Sequence, residues 1–160
     1  MKISVLFPGK IKPTALAPAQ EVYVRRLRAF GVETIEYKDE KISSRTADEV
    51  KRMEGERLLK QLKKEDYLVV CDERGTGVGT MEMAELIRSA RQGAGPLAGQ
   101  GRLVVAVGGA LGFADEVRQR ANAVWALSSL VLAGGVARVV LLEALYRAFT
   151  VVDGHPYHNE

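Results

Sequence analysis

The sequence has 160 residues, a length that fits one domain with a buried core. Hydrophobic residues make up 47% of it and charged residues 27%, a balance typical of a folded globular protein and not of a disordered chain. Cys71 is the only cysteine, which excludes an intrachain disulfide and a metal site built on several cysteines.

The net charge of +3 is distributed unevenly along the chain. Residues 1–64 contain 15 lysines and arginines against 9 acidic residues, whereas residues 65–160 contain 8 against 11. This asymmetry favours a polyanionic partner on one side of the molecule, and a solvated basic face without a partner explains the charge equally well. The chain begins with no signal-peptide pattern, and its uncharged stretch 121–137 is shorter than the roughly 20 residues of a membrane span, so we expect a cytoplasmic protein that does not enter membranes.

The apolar pattern predicts strands that alternate with helices. The predicted strands are 2–7, 32–37, 67–71, 103–107 and 123–127. The predicted helices are 19–30, 46–63, 81–92, a short one from Asp115, and 136–152, with 10–18 as a connector. Thr46 and Glu49 form a capping-box pattern, and Thr80 is placed to cap the next helix. Because at least two strands are wholly apolar, we expect one α/β domain with a mainly parallel sheet and helices on both faces.

Three loops rich in small residues, 72–79, 108–112 and 128–135, follow consecutive predicted strands. Ligands of parallel α/β sheets bind outside the carboxyl ends of the strands, so these loops predict a binding site. None of them has the GxxxxGK[ST] or GxGxxG pattern of a phosphate site, and Arg74 is the main positive charge. An adenosine-like ligand held by backbone and apolar contacts fits this pattern.

The predicted helix 136–152 is apolar nearly all round, so most of its faces must be buried. A second subunit is the simplest way to bury it, and we therefore expect a homodimer. Arg138 in this helix would then need a partner or ligand. The polar tail with His155, Tyr157 and His158 follows directly, and we expect the helix to anchor it so that it reaches an active site. A frayed tail is the alternative, and no residue pattern supports a metal site.

The segment LSSLVLAGGVARVVLLEALYRAFTVVDGHPYHNE resembles the end of SPOUT-class methyltransferases that modify a pseudouridine in large-subunit ribosomal RNA. MKISVLFPGK, ADEVKRMEGERLL and VGGALGF precede it in family order, so the resemblance covers nearly the whole chain. It implies a deep C-terminal trefoil knot, S-adenosylmethionine bound in a bent form, and a homodimer with sites at its interface. It also implies methyl transfer to N(3) of a pseudouridine in the ribosome.

Carried over by position, the resemblance implies that residues of all three loops line the cofactor pocket. These are Cys71, Gly108, Gly109, Leu127, Ser128, Ser129, Leu130, Val131 and Leu132.

Arg138, Tyr157 and His158 match family residues near the target nucleotide. We assign His158 as the general base and Arg138 as the group that stabilises the developing anion. Tyr157 is expected to stack on the target nucleobase or to hydrogen-bond with it. The basic stretches 25–28 and 51–57 would contact RNA phosphates.

The chain departs from the family pattern at three places. Val131 stands where the family usually has Thr, Ala133-Gly134 replaces a Pro-His pair, and Asn159 replaces a Lys or Arg. Two alternatives therefore stand beside the ribosomal enzyme. One is a knotted methyltransferase acting on another RNA such as tRNA, and the other is a ribosome-binding protein that has lost catalysis.

Overall fold

A computed structural model describes residues 1–12 and 15–158 of the chain. The strands are β1 (Lys2–Pro8), β2 (Val32–Tyr37), β3 (Asp66–Gly77), β4 (Arg102–Val107) and β5 (Ala123–Ala126). The α-helices are α1 (Leu16–Arg28), α2 (Ala47–Leu59), α3 (Thr80–Gln92), α4 (Asp115–Arg120) and α5 (Gly134–Val152). Short 3₁₀ turns occupy Ile42–Ser44 and Gly95–Leu97.

The five strands form one sheet in the order β2-β1-β4-β3-β5, and every pairing in it is parallel. The prediction of an α/β fold with a mainly parallel sheet is confirmed. The strand order reverses between β1 and β4, which is where ligands of such sheets usually bind. The trefoil knot stays a prediction.

Both faces of the sheet are covered by helices, as predicted. Along β4, Leu103, Val105 and Val107 point into one core, while Val104 and Ala106 point into the other. Residues of α1, α3 and α5 complete the first core, and residues of α2 and α4 complete the second. This alternation is the two-residue period of a strand buried on both sides.

The prediction that residues 72–79 form a loop is wrong for most of that stretch, because β3 continues to Gly77. Its pairing with β5 shifts register between Cys71 and Thr76 and then resumes with Thr76 opposite Trp125. Gly75 lies inside this irregular stretch, where an added Cβ would be 2.6 Å from the Val124 carbonyl oxygen. Gly75 therefore allows the backbones of β3 and β5 to approach closely.

Several helix ends differ from their predicted positions. Helix α1 begins at Leu16 because Pro18 falls in its first turn, where a missing N–H costs nothing. Helix α5 begins at Gly134, two residues early, and α2 ends at Leu59 before the predicted limit near residue 63. Residues 13 and 14 of the predicted connector lie outside the described residues.

The two predicted caps have different outcomes. The Thr46 hydroxyl accepts from the Glu49 N–H at 3.3 Å and the Glu49 carboxylate accepts from the Thr46 N–H at 2.8 Å, so the capping box is confirmed. Thr80 is instead the first residue of α3, and Gly79 holds the cap position, with its N–H donating to Glu82. Across the described residues, no helix is long and apolar enough to cross a membrane.

Candidate functional site

A cavity of about 720 Å³ opens at the carboxyl ends of β3, β4 and β5. This volume lies within the roughly 300–1,000 Å³ of small-molecule sites. Residues from all three predicted loops line it: Cys71, Asp72, Glu73, Arg74, Val107–Phe113, Leu127, Ser128, Leu130–Gly134 and Ala137. Parallel strands bring these loops together because their carboxyl ends share one edge of the sheet.

Eight of the nine residues predicted to hold a cofactor line this cavity: Cys71, Gly108, Gly109, Leu127, Ser128, Leu130, Val131 and Leu132. The ninth, Ser129, is exposed and is not among the lining residues of the described chain. Ser128 also stabilises the turn that follows it, because its hydroxyl oxygen accepts a hydrogen bond from the Leu130 N–H at 2.9 Å.

The loop after β4 presents bare backbone to the cavity. Gly112 has φ of +79°, a conformation that favours glycine, and it pairs with Gly109 across the turn. A Cβ added to Gly108 would lie 3.2 Å from the Phe113 ring. A Cβ added to Gly109 would lie 2.2 Å from Glu54 Oε2, so there is no room for a side chain.

The Glu54 carboxylate packs against this loop beside Gly109, a contact that was not predicted from the sequence. Burial raises the pKa of its carboxyl, against the effect of a 2.9 Å hydrogen bond from the Glu40 N–H. The signal was present in the sequence, since Glu54 follows buried Val50 by four residues and therefore lies on the inner face of α2.

The charged groups of the cavity wall largely neutralise one another. Buried Asp72 accepts hydrogen bonds from Arg74 Nε at 3.1 Å and from Arg118 Nη1 at 3.3 Å. Burial alone would raise the pKa of Asp72, but these arginines and the Arg74 N–H hold it below its ordinary value. Burial also raises the pKa of the Cys71 thiol to about 12, so Cys71 is a neutral part of the wall and not a nucleophile.

The loop after β5 covers one side of the cavity with apolar side chains. Leu130 is 72% exposed and Val131 is 81% exposed. Val131 and Gly134, two of the departures from the family pattern, both line the cavity, and neither offers a polar side-chain group there.

Arg138 is buried at the carboxyl end of β1. Its guanidinium donates to the carbonyl oxygens of Gly9, at 3.0 Å, and Pro8, and it lies 4.9 Å from the centre of the Phe7 ring. Burial lowers its pKa, while Glu36, Tyr37 and Asp39 raise it. The described residues that line the cavity do not include Arg138.

Tyr157 lies over α1 and α5, and within the described chain neither Tyr157 nor His158 is part of the cavity lining. The Tyr157 hydroxyl is 3.2 Å from Glu143 Oε1 and 3.4 Å from the Tyr23 hydroxyl. His158 Nδ1 is buried and has no hydrogen-bond partner among the described residues.

Two further predictions concern the tail and metal binding. Asn159, the third departure from the family pattern, lies outside the described residues. Among the residues that the structure covers, no three His, Cys, Asp or Glu side chains come together to hold a metal ion.

Some side chains of the predicted basic region are exposed to solvent, and others contact neighbouring residues. Arg25 and Arg28 are exposed on α1. Arg26 lies over the rings of Tyr23, Tyr146 and Tyr157 at 5.1–5.7 Å. Arg57 donates to the Lys38 and Asp39 carbonyl oxygens and pairs with Glu40 at 2.6 Å, so it holds the chain after β2 in place.

Comparisons with known proteins find similarity over the whole chain. A family model described as "Predicted SPOUT methyltransferase" matches residues 1–158. The chain is 36% identical over 160 residues to the ribosomal RNA large subunit methyltransferase H of Syntrophotalea carbinolica, covering 99% of each protein. It is 39% identical over 160 residues to the proteins of that name from Trichlorobacter lovleyi and Geobacter sulfurreducens, covering 99% of this chain and 100% of each relative.

Proposed function

Because the chain belongs to the SPOUT methyltransferase family, we propose that it methylates large-subunit ribosomal RNA with S-adenosylmethionine, at N(3) of a pseudouridine. The relatives named above support the ribosomal substrate. The observation that carries the proposal is the cavity at the carboxyl ends of β3, β4 and β5, lined by eight of the nine residues expected to hold the cofactor.

The walls of the cavity suit S-adenosylmethionine, which supplies an electrophilic methyl group when bound. Gly108 and Gly109 line the cavity, and their lack of a Cβ lets this loop pack closely against Phe113 and Glu54. Leu127, Leu130 and Leu132 offer apolar contacts to an adenine ring. Asp72 and Glu73 together balance the charges of Arg74 and Arg118, which fits a ligand without phosphates.

The target nitrogen must lose a proton, and His158 is the residue that we assign to accept it. Histidine is the side chain that most often acts as a general base near neutral pH, and the family resemblance places this residue near the target nucleotide. Arg138 stabilises the developing anion in this mechanism. A guanidinium has five N–H donors, and the bonds to Pro8 and Gly9 occupy two of its nitrogens, so further N–H groups remain for the base.

The enzyme acts as a homodimer in this proposal. On α5, one face is buried within the chain, while Val136, Val139 and Val140 remain half-buried. Leu130 and Val131 add exposed apolar surface near the beginning of the same helix. A second subunit would remove these apolar groups from water. The expected location of the enzyme is the cytoplasm, because its proposed substrate is ribosomal.

Calorimetric titration with S-adenosylmethionine, followed by transfer of a labelled methyl group to separated RNA fractions, tests the proposal. We expect binding and label in the RNA of the large ribosomal subunit. Label in tRNA would instead support the knotted tRNA methyltransferase. Absence of cofactor binding would support a ribosome-binding protein without catalysis.

The general-base assignment predicts that His158→Ala lowers the single-turnover rate of methylation on ribosomes about 100-fold or more and alters its pH dependence between pH 6 and 9. His155→Asn is the matched control, since His155 is an exposed histidine of the same tail and the asparagine oxygen can still accept the Tyr157 N–H that His155 Nδ1 accepts at 3.2 Å. We expect the wild-type rate from it. A full rate for His158→Ala across this pH range would show that His158 is not the base.

A further inference from the structure

The ring of Tyr157 is held from several sides by side chains of α1 and α5. Its edge packs on the Tyr146 ring, with the ring centres 4.7 Å apart and the planes at 72°. The Arg147 guanidinium lies 4.9 Å from the centre of the Tyr157 ring, and that of Arg26 lies 5.7 Å away. We refer to Tyr23, Arg26, Glu143, Tyr146 and Arg147 as the tyrosine clamp.

The order of hydrogen bonds in the tyrosine clamp follows from its chemistry. The Tyr157 hydroxyl has one proton, which it donates to Glu143 Oε1 at 3.2 Å, because a carboxylate only accepts. The Tyr23 hydroxyl, 3.4 Å away, therefore donates to the Tyr157 oxygen. Burial and the negative charge of Glu143 both disfavour the phenolate form, so Tyr157 keeps its proton and remains a donor at neutral pH.

The positions of the clamp residues on two helices make it rigid. Glu143, Tyr146 and Arg147 are spaced i, i+3 and i+4, so they share one face of α5, and Arg147 is paired with Glu143. Tyr23 reaches across from α1, with its ring centre 6.2 Å from that of Tyr146. Phe30, two residues after the end of α1, also stacks on Phe149 of α5 with ring centres 4.9 Å apart.

The clamp does more than bury apolar surface. Tyr23, Tyr146 and Tyr157 are half-buried, and a phenylalanine at position 23 would bury the same ring. The Tyr23 hydroxyl makes the contact directional, because together with Glu143 it sets the orientation of the Tyr157 hydroxyl. His158 follows Tyr157 immediately, so the orientation of Tyr157 limits where the imidazole can lie.

We propose that Tyr23 is a positioning residue for methyl transfer: its hydroxyl, together with the Glu143 carboxylate, orients Tyr157 and thereby presents His158 to the target base. This inference rests on the proposed function, because it assumes that His158 acts in the reaction. Tyr23 contacts neither cofactor nor substrate in this role and acts only through the tail.

The test compares Tyr23→Phe with Tyr67→Phe, which removes a hydroxyl from a half-buried tyrosine on β3. We expect Tyr23→Phe to lower kcat for ribosome methylation by about 10- to 100-fold, since a small misplacement of a catalytic group has effects of this size. The KM for S-adenosylmethionine and the thermal midpoint should stay at wild-type values. Tyr67→Phe should match the wild type throughout. An unchanged kcat for Tyr23→Phe would overturn the proposal.

A spectroscopic measurement follows the tail itself. The chain has only two histidines, so the imidazole C–H signals of His158 can be assigned in NMR spectra with the help of His155→Asn. Tyr23→Phe and Glu143→Gln should both move the His158 signals in the same direction, while Tyr67→Phe leaves them unchanged. Unmoved His158 signals in both clamp variants would overturn the proposal even if kcat fell.

The two measurements separate this inference from the proposed function. A wild-type protein that binds no S-adenosylmethionine or methylates no ribosomal RNA contradicts the proposed function. A wild-type protein that is active, with a Tyr23→Phe variant of equal kcat, contradicts only the positioning role.

Discussion

Glu54 and Gly109 show how a single contact shapes the cofactor loop. The Glu54 carboxylate occupies the position that a Cβ on Gly109 would need, at 2.2 Å. The same carboxylate accepts the Glu40 N–H, so it joins α2, the chain after β2 and the loop after β4. A larger residue at position 109 must displace either the loop or this carboxylate.

We predict that Gly109→Ala weakens S-adenosylmethionine binding about tenfold or more, equal to about 1.4 kcal/mol, because the added Cβ displaces the loop from the Glu54 carboxylate. Calorimetry on Gly109→Ala, Glu54→Ala and the double variant measures the coupling between the two residues. The double variant should regain most of the affinity, since removing the carboxylate frees the space. Strictly additive losses would contradict the proposed contact.

Asp66 is a second residue whose charge state matters. Its Oδ2 accepts from Arg102 Nη2 at 2.6 Å and from the Lys63 N–H at 2.9 Å. Burial alone would raise the pKa of Asp66, but these bonds hold it below the ordinary value. A depressed pKa in the folded state stabilises the protein above the unfolded pKa, and this stabilisation is lost as the pH falls through the folded pKa.

We predict that Asp66→Asn lowers the free energy of unfolding by about 2 kcal/mol at pH 7, the value of a hydrogen bond to a charged group. The difference from the wild type should shrink below pH of about 4, where the aspartate of the unfolded chain becomes protonated. Urea unfolding across pH 3–7 measures this. Glu33→Gln, on the exposed side of β2, should change stability by less than about 0.5 kcal/mol. A pH-independent difference for Asp66→Asn would contradict the linkage.

At the scale of elements, the extension of β3 past the predicted loop depends on its contact with β5. The irregular stretch between Cys71 and Thr76 lets the strand bend and pair again with Trp125 and Ala126. Gly75 allows the approach, because its Cα faces the Val124 and Trp125 backbone. This bend also places Cys71, Asp72 and Arg74 along the cavity.

We predict that Gly75→Ala destabilises the fold by about 2 kcal/mol, since the added Cβ would press on backbone atoms that cannot move freely. Gly77→Ala is the matched control on the same strand, because nothing lies within 4 Å of its added Cβ. Trp125 is the only tryptophan and pairs with Thr76, so its fluorescence reports unfolding at this contact. Equal stability of the two variants would show that β3 and β5 do not approach so closely.

At the scale of the whole molecule, α5 connects the site with the proposed dimer. Its beginning lines the cavity through Gly134 and Ala137. Its middle carries those residues of the tyrosine clamp that do not lie on α1, and its inner face fills the core with Leu141, Leu142 and Leu145. Burial within one chain accounts for only part of its apolar surface. The half-buried valines are the basis for proposing a second copy.

We predict that Val140→Asp converts the dimer into a monomer of about 17.5 kDa, because an unpaired carboxylate in an apolar interface is costly. Sedimentation equilibrium measures the mass. Val22→Asp, at an exposed apolar position on α1, should leave the dimer intact. A wild-type protein that sediments as a single chain would contradict the dimer.

The sequence by itself determined the alternation of strands and helices, the parallel sheet and the loops that follow β4 and β5 at one edge of it. These features follow from local periodicity and from glycine or small residues after strands, which a single segment carries. The capping box of Thr46 and Glu49 was predictable for the same reason, since its partners are three residues apart. Of the nine residues that the family resemblance suggested as cofactor contacts, eight line one cavity.

The tertiary structure alone decided the contacts between distant segments. Strand β3 continues to Gly77 because Trp125 and Ala126 of β5, some fifty residues later, pair with Thr76 and Gly77. Glu54 meets Gly109, and Tyr23 meets Tyr157, across separations that no local pattern encodes. Local preferences set each element, whereas packing between elements decides which side chains meet, because that depends on the whole chain at once.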